Sequence, residues 1–323
     1  MTRQHPERRR SGRSTVHTVT SGHETLLDPK ILRRLAESAL LEDHAWQDVT
    51  TDPLIPDEQQ GQAQIIAKAD GVIAGLPMAE TVFAAADATL AWQPHLLDKQ
   101  HVSEGDTIAT IEGSIASILR AERVALNFVG HLSGIATATA AVVYAIHGTR
   151  CHVRDTRKTL PGLRSLEKYA VRMGGGMSHR ADLAAAVLIK DNHIAALYDR
   201  DLDIATAVKL ALNANPLLKV EVEVTSLDEA QQAANAGAHE LLLDNMSIEA
   251  MREVVQTFAV REHPPALEAS GGITLLNARA VAETGVDYIS MGALTHSAAA
   301  LDISLKLTDP RRTDPGRVRF RSS

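Results

Sequence analysis

The chain has 323 residues, 45% of them hydrophobic, and 33 Lys and Arg against 40 Asp and Glu give a formal net charge of -7. This composition supports a sizeable core, and net acidity with only 3% aromatic residues argues against a nucleic-acid binder, which presents a basic face and stacking rings. The single cysteine, Cys151, excludes an intrachain disulfide framework and a cysteine-built zinc site. With no apolar run of about 18 residues and no apolar signal region at the N-terminus, no membrane is expected and the cytoplasm is the expected compartment.

Residues 1–23 are rich in Arg and Ser, carry one acid (Glu7) and lack apolar periodicity, so they read as a disordered basic arm; residues 306–323 form a basic tail of the same character. Residues 24–121 mix a helical start, "DPKILRRLAESALLED", with short β-like runs such as "AQIIAKADGVIAG" and "DTIATIEG", an N-terminal α+β sandwich domain. A long helix, "ASILRAERVALNFVGHLSGIATATAAVVYAIHG", then leads into residues 122–305. There, short strand-like runs alternate with helical segments: "RCHVRDT", "AAVLIK", "LKVEVEV", "ELLLD", "PALEAS" and "DYISMG". That rhythm predicts a parallel βα barrel whose site lies at the C-terminal ends of its strands. About six strands is short of the eight of a full barrel, so the fold class is α/β, an incomplete or modified βα barrel behind the N-terminal domain. Its last residues are expected to pack back on that domain.

The strand ends carry the chemistry. Ser270, Gly271 and Gly272 in "ASGGI" and Gly292 in "SMGAL" end the last two strands, where glycine lets backbone N–H groups approach a phosphate and a following helix N-terminus adds positive charge. Glu223 and Asp244 end consecutive strands and point into one mouth; they suit a divalent cation with water, sugar hydroxyls, or an ion pair with Lys190. Lys190 reads as an anion ligand or, less simply, as a Schiff-base lysine, which would need burial or a cationic neighbour. The segment Arg154–Arg180 gathers Arg157, Lys158, His179 and Arg180; Arg forks and compact Lys charges together suit a ligand with several anionic groups. Between them, "LRSLEKYAVRM" has helical spacing, and Arg164, Lys168 and Arg172 are expected on its solvated face.

As a set, "EDHAWQDVTTD", "EGDTIATIEG", "AERVALNFVGHLSGIAT", "RDTRKTLPGLRSLEKYAVRMGGGMSHR", "VLIKDNHI", "VEVEV", "LLLDNM", "EASGGI" and "ETGVDYISMGALTHSAAALDISL", spread over residues 40–305, resemble the quinolinate phosphoribosyltransferases, or carboxylating nicotinate-nucleotide pyrophosphorylases. The resemblance implies transfer of phosphoribose from phosphoribosyl pyrophosphate to quinolinate, with loss of carbon dioxide and pyrophosphate, giving nicotinate mononucleotide for NAD synthesis. It implies magnesium (Mg2+) as cofactor. Carried over by motif, Arg123, Arg157, Lys158, His179, Arg180 and Lys190 form the dicarboxylate- and pyrophosphate-binding set. Glu223 and Asp244 form the ribose and magnesium side, and Ser270, Gly271, Gly272 and Gly292 the 5′-phosphate cradle. Lys158, Lys190, Glu223 and Asp244 are the expected catalytic groups. The resemblance also implies a homodimer in which Arg123 acts in trans. Ser178, where the family usually has Asn, Gln47 before "DVTT", and "AAAVLIK" without an acid depart from the pattern. They leave open a phosphoribosyltransferase paralogue with another acceptor, such as a molybdenum-transport-associated relative or a nicotinate-using enzyme. A non-catalytic phosphosugar binder stands further off.

Overall fold

The computed structural model describes residues 27–198 and 202–308; the basic arm at 1–23 and the tail beyond residue 308 lie outside the described residues. Helix α1 (Pro29–Glu42) begins as its sequence dictates: Asp28 accepts the N–H of Lys30, Pro29 opens the first turn, and Leu32, Ala36 and Leu40, four apart, are buried. A short α2 (Thr51–Leu54) follows, then β1 (Gln60–Ala67), β2 (Gly71–Val72), α3 (Leu76–Ala86), β3 (Ala91–Pro94), β4 (His101–Val102) and β5 (Thr107–Ser114). Strands β1, β3 and β5 pair antiparallel, and α1 and α3 pack together behind them.

Helix α4 (Ile115–Ala145) is capped by Ser114, whose hydroxyl accepts the N–H of Ser117. By length and hydropathy it could cross a membrane, yet half of its most apolar window is buried within the protein, and it packs on α1, α3 and the barrel. It is a core helix. Its small residues permit backbone contact: a Cβ on Gly134 would lie 2.0 Å from the carbonyl oxygen of Ala299.

The remaining elements alternate. They are β6 (His152–Arg154), α5 (Arg164–Met173), β7 (Val187–Ile189), α6 (Asp191–Tyr198), α7 (Ile204–Ala214), β8 (Val220–Val224), α8 (Leu227–Asn235), β9 (Glu240–Asp244), α9 (Ile248–Ala259), β10 (Ala266–Ser270), α10 (Ala278–Ala282), β11 (Tyr288–Ser290) and α11 (Ala293–His296). All six strand runs read from the sequence are present, in one parallel sheet of order β6-β11-β10-β9-β8-β7. Among the described residues no ladder joins β6 to β7, so the barrel stays open along that seam; the return segment from Gly174 to Arg180 lies against β6 through an Arg154–Met177 bridge. The last strand, β12 (Ile303–Leu307), leaves the barrel and pairs antiparallel with β1, from Ile303 opposite Ala67 to Leu307 opposite Ala63.

Alternation along the barrel strands sorts their side chains. In β8, Val220, Val222 and Val224 face the helical layer and Glu221 and Glu223 the interior; in β9 and β10, Glu240, Asp244, Glu268 and Ser270 lie at the corresponding inward positions. The barrel interior is therefore charged, which requires every buried carboxylate to find a cation or a donor.

One expectation is corrected here. Lys168 does not lie on a solvated helix face: it is 4% exposed, its ammonium bound to the fully buried carboxylate of Asp155. The buried arc of α5 runs from Leu166 and Ala170 round to Val171 and takes in both Glu167 and Lys168, whereas Arg164 and Arg172 keep partial exposure at its margins.

Candidate active site

A cavity of about 720 Å3 opens at the C-terminal ends of the six parallel strands. Arg157, Lys158, His179, Arg180, Lys190, Glu223, Asp244, Ser270, Gly271, Gly272 and Gly292 all line it, joined by Asp155, Thr156, Asn245, Glu268, Thr274, Ser290 and His296. Arg123 does not; it is exposed on α4, outside the cavity of its own chain.

The cations arrive from two loops. Arg157 and Lys158 follow β6; the hydroxyl of Thr295 donates to the carbonyl of Lys158 at 2.7 Å, and the Lys158 stem passes Gly292 so closely that a Cβ there would meet it at 2.7 Å. Arg157 Nε is buried without a hydrogen-bond partner among the described residues, a donor left for something else. His179 and Arg180 come from the return segment; His179 N–H donates to Asp155 at 2.9 Å and Arg180 to the carbonyl of Ala186 at 3.2 Å. Burial and the charge of Arg157 push the Arg180 pKa down, which places the two guanidinium groups within electrostatic reach of one another.

Below them lies a buried charge network. His179 Nε2 is 2.7 Å from Glu221, and Arg154 donates to Glu268 at 2.7 Å and to Glu240 at 2.9 Å while stacking 3.3 Å from the centre of the Tyr288 ring. Burial alone would lower the His179 pKa, but its hydrogen bond to Glu221 and the charge of Glu268 raise it above the ordinary imidazole value, which favours the charged ring beside the cavity. Glu268 is pushed up by burial and by the neighbouring Glu221 charge.

Lys190 pairs with Glu223 at 3.2 Å and is 45% exposed, the reverse of the buried, cation-flanked setting a Schiff-base lysine needs. Asp244 accepts from Asn245 at 2.8 Å. As half-buried carboxylates on adjacent strands, Glu223 and Asp244 offer the hard oxygen donors that Mg2+ takes alongside phosphate. Among the described residues, the cluster whose donor atoms all lie within 4.8 Å is instead His179, Glu221 and Glu268, but Arg154 already supplies its positive charge.

The glycine turns have their own geometry. Gly271 sits at φ 91° against Asn245, and Gly272 at φ 62° faces open space, so backbone rather than side chain borders the cavity there. The helices after these turns are short: α10 has five residues and begins only at Ala278, and α11 has four. Loop N–H groups, more than the helix termini the sequence suggested, make this wall. Asp155, Glu268, Asn245 and His296 were missed by the sequence reading; the alternation that turns Glu223 inward also turns Glu268 inward and could have found it.

Comparison with known proteins agrees with this arrangement. The family model of the quinolinate phosphoribosyl transferase N-terminal domain matches residues 48–133 and that of the C-terminal domain residues 135–306. The chain belongs to the quinolinate phosphoribosyltransferase family. Among its relatives, the human nicotinate-nucleotide pyrophosphorylase [carboxylating] is 40% identical over 289 residues, covering 88% of this chain and 95% of that one. The Mycobacterium leprae protein of the same name is 40% identical over 264 residues, or 80% and 91% of the two chains. The crystal structure of NadC from Streptococcus pyogenes superposes with a TM-score of 0.82 at 42% identity, covering 88% of this chain and 99% of that one. The quinolinate phosphoribosyltransferase fold therefore spans the barrel, the N-terminal sheet and the β12 return.

Proposed function

We propose that this enzyme transfers phosphoribose from phosphoribosyl pyrophosphate to the ring nitrogen of quinolinate and releases carbon dioxide and pyrophosphate, giving nicotinate mononucleotide. The observation that carries the reading is the convergence of Arg157, Lys158, His179 and Arg180, from two separate loops, on the cavity whose other strand ends bear Glu223, Asp244 and the glycine turns. Both substrates are polyanions, and this cavity gathers cations within a chain that is acidic as a whole.

In this reading Arg157, His179 and Arg180 grip the two quinolinate carboxylates, and Lys158 and Lys190 the pyrophosphate, with Ser270, Gly271, Gly272 and Gly292 around the 5′-phosphate. The ring nitrogen attacks the anomeric carbon as its bond to pyrophosphate breaks, and Glu223 and Asp244 face the positive charge that develops on the ribose. The nitrogen, now quaternary, stabilises the electron pair left when the adjacent carboxylate departs as carbon dioxide, and that carbon then takes a proton from water. Here the cationic pocket orients the carboxylate and strips its water. Magnesium, held by Glu223 and Asp244 directly or through water, supplies charge neutralisation on the leaving pyrophosphate. Arg123, exposed outside its own cavity, fits a homodimer in which it completes the partner's site, and the setting of the reaction is the cytoplasm.

Purified protein incubated with phosphoribosyl pyrophosphate, Mg2+ and either quinolinate or nicotinate tests this. Mononucleotide and carbon dioxide form in equal amounts from quinolinate; product from nicotinate alone overturns the acceptor, and binding without turnover favours a phosphosugar-binding protein.

A further inference from the structure

Helix α5 separates the two pairs of site cations in sequence and touches the cavity with none of its side chains, yet it buries an acid and a base side by side. Glu167 and Lys168 are 0% and 4% exposed. Consecutive helical residues diverge by about 100°, so the two side chains serve different neighbours. The Glu167 carboxylate accepts the backbone N–H of Leu160 at 3.1 Å and lies 2.9 Å from His131 on α4. Leu160 stands two residues beyond Lys158 in the loop that carries Arg157. The Lys168 ammonium binds Asp155, and the same carboxylate oxygen takes the N–H of His179. One helical step therefore pins the loop of Arg157 and Lys158 at Asp155 before it and at Leu160 after it, and the Asp155 carboxylate passes that hold on to the segment of His179 and Arg180.

Stability alone does not account for this pair. Burial lowers the Lys168 pKa and raises that of Asp155, each partly offset by the other, and a buried ion pair is commonly matched or bettered by apolar residues of similar size. What an apolar pair could not do is hold two loops at a fixed separation by directed bonds. We propose that Glu167 and Lys168 are positioning residues that set the distance between Arg157 and the pair His179 and Arg180, and so match the pocket to a dicarboxylate. This rests on the functional reading above, since the spacing matters only for a ligand gripped from both sides.

The test compares wild type with Lys168→Met, Glu167→Ala and Glu167→Gln, the last keeping an acceptor for Leu160. KM for quinolinate, KM for phosphoribosyl pyrophosphate, kcat and Tm are measured for each. Lys168→Met and Glu167→Ala raise KM for quinolinate at least tenfold while changing that for phosphoribosyl pyrophosphate by less than threefold, and Glu167→Gln restores most of the loss. Folded variants with wild-type constants, or with both KM values and kcat impaired alike, overturn the proposal. If Lys168→Met or Glu167→Ala does not fold, Glu167→Gln and Lys168→Arg decide: Lys168→Arg, with a bulkier head against Asp155, raises the quinolinate KM at least threefold and Glu167→Gln does not, and any other pattern overturns it. A wild type that makes no mononucleotide fails the functional reading instead, and the inference with it.

Discussion

The guanidinium of Arg154 donates to the carboxylate of Glu268 at 2.7 Å beneath the floor of the cavity, where both side chains are less than a tenth exposed. Arg154 also holds Glu240, which Lys219 binds through its other oxygen. Arg154→Met leaves both without that partner, and breaking a buried pair in this way costs about 3–5 kcal/mol. Urea unfolding reads the loss as a lowered midpoint, and an unchanged midpoint would remove Arg154 from the framework.

His179 titrates above the ordinary imidazole value of 6.5, because Glu221 and Glu268 outweigh the burial that opposes its charge. A raised folded-state pKa stabilises the fold fully below 6.5 and ceases to do so as pH rises through the folded value. Quinolinate binding follows the same proton, strongest below the folded-state pKa and weakening as pH rises through it. A histidine NMR titration locates the transition, and His179→Asn flattens that limb of the KM profile.

Arg157→Ala weakens quinolinate binding more than tenfold, or over about 1.4 kcal/mol. The buried Nε of Arg157 has no protein partner among the described residues to lose, so the fold is little affected. Calorimetric titration with quinolinate checks the first statement and a melting curve the second.

Gly271→Ala places a Cβ 2.2 Å from Asn245 Oδ1 at a φ of 91°, where an L side chain costs about 1–2 kcal/mol before any clash. The turn moves, and KM for phosphoribosyl pyrophosphate rises more than that for quinolinate. Equal changes in both would argue against a phosphate at this turn.

Cys151 is buried, with its thiol pushed up to about 12 by burial and by the charge of Asp287. The thiolate is the reactive form, so iodoacetamide leaves the folded enzyme unmodified at neutral pH. Intact-mass measurement before and after denaturation checks this.

Much of this molecule is legible in the residue order, and the exceptions share a cause. Runs such as "VEVEV" and "ELLLD" announce strands because apolar β-rich residues are bounded by polar ends, and the ends of those strands supply most of the cavity wall. Lys168 is misread because residues 164, 168 and 172 form a regular basic stripe, and periodicity cannot tell that Asp155, thirteen residues earlier, waits beneath one member of it. Alternation places Glu221 and Glu268 inward, but their partners are hidden for the same reason as that of Lys168: the proximity of Arg154 and His179 is a product of the barrel rather than of neighbouring sequence. Arg123 lies exposed on α4, outside the cavity of its own chain.

The pairing of β12 with β1 ties nearly the last described residues to the first strand of the N-terminal domain. On a ribosome, the N-terminal sheet keeps β1 as an open edge until the barrel has been made, because its fourth strand follows the barrel in the chain. The first domain's sheet is thus completed only after the second domain has been synthesised, and a truncation that removed β12 would open the sheet at β1.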